Sequence, residues 1–190
     1  FYREHFDEYL TFTRIGEGSM GGKARGLAFL DHIIKQNQLS DGFEDSIVSI
    51  PRTVVLSTDI FDEFMEENNL YSIGLSDAGD REILDAFLKA RLPFRIHKDL
   101  LVFISIISGP VAIRSSSLLE DSHFQPFAGV YSTYMIPKAE NEIVMLEILS
   151  VGIKSVYASV FYRGSKNYMK ATANQIEEEK MGIVLQEVCG

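Results

Sequence analysis

Gly16-Glu17-Gly18-Ser19-Met20-Gly21-Gly22-Lys23 is the stretch on which the reading of this 190-residue chain turns. Its four glycines let the backbone turn tightly and present N–H groups, and its closing lysine adds a mobile positive charge. Further on, Val111-Ala112-Ile113-Arg114-Ser115-Ser116-Ser117 brings an arginine out of an apolar run. Phe127-Ala128-Gly129-Val130-Tyr131-Ser132-Thr133 then supplies a second small-residue turn. An arginine fork grips two phosphate oxygens at once, so the three stretches read as parts of one polyanion site.

Familiar glycine motifs do not account for the first stretch. Gly16-x-Gly18-x-x-Gly21 formally matches the dinucleotide fingerprint, and Gly22-Lys23 echoes a P-loop. A P-loop, however, needs glycine where Glu17 stands and a metal-ligating Ser or Thr where Ala24 stands. A protein kinase would follow its glycine loop with a Val-Ala-Ile-Lys strand. Here Val111-Ala112-Ile113 ends in Arg114, and the later kinase motifs are missing.

Five blocks in order carry a resemblance. They are Gly21-Gly22-Lys23-Ala24-Arg25-Gly26-Leu27, Ile50-Pro51-Arg52-Thr53-Val54-Val55-Leu56-Ser57-Thr58, Ala112-Ile113-Arg114-Ser115-Ser116-Ser117 with Glu120-Asp121, Phe127-Ala128-Gly129, and Gly182-Ile183-Val184-Leu185-Gln186-Glu187. The chain resembles the nucleotide-binding domain shared by phosphoenolpyruvate synthase and pyruvate phosphate dikinase, an ATP-grasp-like family. The likeness spans most of the chain and is weak over 70–100 and 137–180, where no function is carried across.

The resemblance implies ATP as ligand, with Lys23 and Arg114 as the candidate catalytic residues on its phosphates. Gly21 and Gly22 precede that lysine. Ala128 and Gly129 match a mobile glycine loop over the phosphates, and Thr133 adds a hydroxyl. Gln186, Glu187 and Val188 match an adenine-edge strand, where a backbone N–H and C=O and the Gln amide read the base. The phosphorylated histidine of such enzymes and the carboxylates that hold Mg2+ are expected outside this chain. Pyruvate would be met through other domains of the parent, for which the resemblance allows a homodimer. Plainer readings stand beside these: an ion pair of Arg114 with Glu120 or Asp121, an ordinary hairpin at Gly129, and a plain core strand at Gln186. Ser115 to Ser117 read as braces for Arg114, since no histidine base accompanies them.

Composition sets bounds. With 46% hydrophobic residues, the chain can bury a core as one domain or as sub-lobes 1–110 and 111–190. A net charge of −9 argues against a nucleic-acid or anionic-membrane surface, so the basic residues that matter are local. The lone Cys189 allows no internal disulfide and suits a reducing cytoplasm. His5, His32, His97 and His123 lack metal-ligand spacing, so no metal site is expected within the chain. The oily run Leu100 to Ile107 falls far short of the roughly twenty residues of a membrane span. A start at Phe1 without methionine and a stop at Gly190 fit a piece excised from a larger multidomain protein.

Periodicity predicts a helix over 24–37 with Leu27, Leu30, Ile33 and Ile34 as its apolar stripe, aiming its positive end at the turn before it. A strand over 53–57 and a helix to Asn68 capped by Thr58 or Asp59 follow, with Ile60, Phe61, Phe64 and Met65 inward. A helix opens at Ser76-Asp77, another runs over 98–107, and strands cover 110–115 and 130–136. A long helix over 142–161 has Ile143, Leu146, Ile148, Leu149, Ile153 and Val156 as its core set. An exposed connection over 166–180, with a solvated Glu177-Glu178-Glu179 run, leads to a closing strand over 181–188. This mixture lacks regular alternation, so the class is α+β, a mixed sheet flanked by helices.

Overall fold

Parity along three strands sorts the residues of this protein into two unequal layers. Val54 and Leu56, Ile183 and Leu185, Val111 and Ile113 point to one face, while Thr53, Val55, Gly182, Val184, Gln186, Ala112 and Arg114 point to the other. The computed structural model describes residues 11–39, 46–117, 129–172 and 179–189. In chain order the elements are β1 (Phe12–Ile15), α1 (Gly21–Gln36), β2 (Thr53–Leu56), α2 (Thr58–Glu67), α3 (Tyr71–Gly74), α4 (Asp80–Lys89), α5 (His97–Ile106), β3 (Val111–Ser117), β4 (Thr133–Ile136), α6 (Glu142–Ser159), α7 (Arg163–Ala171) and β5 (Met181–Glu187).

The sheet order is β1-β2-β5-β3-β4, with β1 and β2 parallel and the remaining pairs antiparallel. The class is therefore α+β with a mixed five-stranded sheet, as read from the sequence. β5 lies between β2 and β3, so the sheet runs unbroken across a division at residue 110.

Helices α2, α4, α5 and α6 cover the first face and build the main core with Phe61, Phe64, Phe87, Phe103 and Tyr157. Close approach is needed there. A Cβ on Gly152 of α6 would meet Ile113 Cδ1 at 2.2 Å. Within Glu142–Ala171 a stretch of 18 residues is long and apolar enough to cross a membrane, with a mean hydropathy of 1.7. It exceeds the run read as longest from sequence. In this fold its apolar side is core, with Met145, Leu149, Ile153 and Val156 fully buried.

The second face is thinner. Among the described residues only α1 covers it, over a small cluster of Ala24, Val55 and Val184. Of the stripe expected on α1, Leu27, Ile33 and Ile34 are partly buried and Leu30 is 51% exposed. The helix starts earlier than its periodicity indicated, at Gly21, because the last two glycines of the turn are themselves its first residues.

Three other expectations are corrected. Ile143 is 67% exposed, since α6 meets the core only from Met145 onward. The helix placed at Ser76-Asp77 begins at Asp80, behind the unexpected short α3. Part of the stretch taken as an exposed connection is α7, which buries Ser165 and Met169 under a charged exterior. Glu179 is buried and accepts a 3.0 Å bond from the Tyr131 hydroxyl, so it is not solvated surface; Glu177 and Glu178 lie outside the described residues.

Two substitutions test this packing. Gly21 has φ +73°, and a Cβ there would lie 1.8 Å from the Ser116 carbonyl oxygen. Gly21→Ala is expected to lower unfolding stability by about 2–4 kcal/mol in urea denaturation. Tyr157 packs edge-on to Phe61 at 5.1 Å, and its buried hydroxyl has no partner among the described residues. Tyr157→Phe is expected to raise stability by about 1 kcal/mol in the same assay.

Candidate functional site

The turn from Gly16 to Met20 is shaped by its own chain. The Asp59 carboxylate accepts from the N–H of Gly18 at 2.9 Å and of Glu17 at 3.2 Å, and the Thr58 hydroxyl accepts from the N–H of Ser19 at 3.0 Å. The two residues read as caps of α2 thus hold the glycine turn instead; the N-cap position of α2 is Ser57. Gly16, at φ +92°, and Gly18 leave room for this, since a Cβ on either would fall within 2.3 to 2.6 Å of Ser57 or Asp59 atoms. The N–H groups expected to face phosphate are, at Glu17 and Gly18, already gripping an anion that the protein supplies.

Asp59 is fixed from behind. Arg95 reaches it at 2.9 Å and also reaches Glu63 at 2.6 Å. Burial pushes the Asp59 carboxyl upward, but hydrogen bonds from Ser57, Gly18, Arg95 and Glu17 outweigh it and hold the group well below the usual carboxylate range.

The start of α1 is seated on β3 through Ser116, whose hydroxyl donates to Met20 O at 2.8 Å and accepts from Ala24 N at 3.1 Å. Gly182 permits the approach, as a Cβ there would meet Met20 O at 2.8 Å. From this seat the Lys23 ammonium donates to the Ser115 hydroxyl at 3.3 Å. Arg114, the preceding residue, donates to Gln186 Oε1 at 3.3 Å, and the Gln186 amide donates to Thr53 Oγ1 at 3.1 Å. Thr133 stands directly across from Arg114 on β4. Lys23, Arg114, Thr133 and Gln186 are thus brought onto one neighbourhood of the sheet.

Other expectations fare differently. The serines do not brace Arg114: Ser115 meets Lys23, Ser116 seats α1, and Gln186 holds the guanidinium. Glu187 clamps the turn before β3, accepting from Ser108 N at 2.6 Å and Gly109 N at 2.8 Å. Its own N–H donates to Arg52 O and that of Val188 to Pro110 O, so the backbone donors assigned to a base at these two residues are engaged within the chain. That follows from the central position of β5. Gly129 has φ +78° in open surroundings, whereas Ala128, Glu120 and Asp121 lie outside the described residues. Arg95 escaped the sequence reading, and Asp59, Thr58 and Ser116 were read there in other roles. The tripeptide Ser57-Thr58-Asp59 carries a signal, but one that a helix cap explains equally well.

Asp59 and Glu187 are both engaged by backbone N–H groups, and among the described residues no three His, Cys, Asp or Glu side chains gather as ligands.

The fold is thus an α+β domain whose mixed sheet carries an arginine on the strand beside a lysine-bearing helix start. Residues 17–190 match the family model of the pyruvate phosphate dikinase AMP/ATP-binding domain, and the chain belongs to that family. It is an ATP-binding domain of a phosphotransferase family. The chain is also similar to a Bacillus subtilis (strain 168) protein described as the uncharacterized phosphotransferase YvkC, at 31% identity over 148 residues. That match covers 72% of this chain and spans 15% of the relative's length.

The carboxylate in the turn has a pH signature. Because its folded pKa is depressed, Asp59 contributes its full stability above the ordinary carboxylate pKa of about 4 and loses it as pH falls below that value. The stability difference between the wild type and Asp59→Asn is expected to be constant above about pH 5 and to shrink toward lower pH. Urea denaturation across pH measures it, and a difference that stays flat would contradict the assignment.

Proposed function

We propose that the chain is the ATP-binding portion of a phosphotransferase resembling phosphoenolpyruvate synthase, which splits ATP, passes phosphate through a histidine on another domain and delivers it to pyruvate. The observation that carries this reading is the bond from Lys23, near the start of α1, to Ser115, the residue next to Arg114 on β3. Triphosphate is an anion that both a lysine beside a helix start and an arginine fork attract.

The layout suits an extended ligand. From Gly182, beside the α1 start, to Glu187 the strand covers roughly 17 Å, with Arg114 and Gln186 between on the same face. Phosphates would lie at Lys23, Arg114 and Thr133, beneath Gly129. The base would lie toward Gln186, Glu187 and Val188, reading carbonyls and side chains rather than the engaged N–H groups. Lys23 offsets charge on the terminal phosphates as they separate, and Arg114 holds oxygens bidentately once Gln186 has set its plane. Magnesium and the phosphohistidine belong to other portions of the parent in this reading.

In the full-length protein, Arg114→Ala is expected to weaken ATP binding about 30- to 1000-fold and Lys23→Ala about 10- to 100-fold, measured by calorimetric titration. Pyruvate-dependent formation of phosphoenolpyruvate from ATP by the same protein tests the acceptor. Unchanged ATP affinity in both variants would defeat the site, while ATP binding without use of pyruvate would defeat only the acceptor.

A further inference from the structure

Asp59 is a half-buried, ionised group that the site as read so far does not use, yet it organises every turn residue between Glu17 and Ser19 together with Thr58. We propose that Asp59, clamped by Arg95, is a positioning residue for the phosphate-facing lysine: it is a built-in anion that sets the glycine turn and, through it, the direction from which Lys23 leaves α1. The proposal rests on the site reading given above and adds to it a group that touches no nucleotide.

The geometry leads from one to the other without a gap. The carboxylate takes the N–H groups of Glu17 and Gly18, and Thr58 takes that of Ser19. The Ser19 hydroxyl accepts from Gly21 N at 3.3 Å, and Gly21 is the first residue of α1. Ser116 then fixes Met20 and Ala24 on either side, leaving Lys23 directed at Ser115. A neutral amide at position 59 would present an N–H2 group to backbone donors, and the turn would lose one of its two acceptors. Arg95 belongs to the device because it neutralises a carboxylate that would otherwise repel the incoming phosphates. Its Nη2 donates at 2.9 Å to Asp59 Oδ2, the oxygen that also accepts from the Glu17 N–H.

A double-substitution cycle on ATP affinity separates positioning from mere structural support. In the full-length protein, Asp59→Asn is expected to weaken ATP binding about tenfold by calorimetric titration. In a Lys23→Ala background the same change is expected to have almost no effect, because there is no longer an ammonium to place. A penalty of equal size in both backgrounds would overturn the proposal, since Asp59 would then act on the fold and not through the lysine. Should Asp59→Asn fail to fold, Arg95→Gln takes its place in the cycle: the Arg95 side chain is 46% exposed, and its loss is expected to weaken ATP binding about threefold, again only where Lys23 is present. Equal effects of Arg95→Gln in the two backgrounds would likewise refute it. If Lys23→Ala alone binds ATP as the wild type does, the site reading itself falls and this proposal with it; if Lys23→Ala weakens binding and Asp59→Asn does not, only this proposal falls.

Discussion

The seating of α1 on β3 depends on two missing side chains. Gly21 and Gly182 sit where any Cβ would collide with the Ser116 or Met20 carbonyl, and only that close approach lets one hydroxyl, Ser116, bond both Met20 O and Ala24 N. Everything proposed for the phosphates follows from this contact. A helix start held a few tenths of an ångström farther out would carry Lys23 away from Ser115 and away from the neighbouring Arg114. Glycine at these positions is therefore a packing requirement as well as a source of backbone freedom.

The same region shows how a glycine-rich turn can be read too simply. Exposed N–H groups favour an anion, and the inference from sequence was that the anion is the ligand. In the folded chain the first two donors hold Asp59, and Arg95 offsets that internal carboxylate. The proposed ligand chemistry therefore falls to the lysine and arginine beyond them.

Much of the architecture was legible because the elements concerned are strongly patterned. α2, with Ile60, Phe61, Phe64 and Met65 all fully buried, and β5, with its β-branched run, announce themselves through period and composition. α1 misled for a physical reason: it lies over a face with a small cluster, so its apolar stripe is more than the fold buries. α7 was missed because charge dominates its sequence, and only Ser165 and Met169 reveal the inward side. At the site, Lys23 and Arg114 were found because their residue types fit phosphate at those places. Pairings such as Asp59 with Gly18, or Gln186 with Arg114, join residues far apart in sequence. Strand order, which one sequence does not encode locally, decides them.

The lopsided layering has a dynamic consequence. Among the described residues α1 buries its own Ala24 against Val55 and Val184 alone, so it has far less to lose by lifting from the sheet than the helices that build the aromatic core. Such a segment opens as a sub-global unit well before the whole domain unfolds, and its amide protons exchange with solvent on a correspondingly shorter timescale. A triphosphate bridging its first turn to the sheet would stitch down this weakest layer, so occupancy would be registered as rigidity at the very helix that exposes Phe29 and Leu30 to whatever lies beside it.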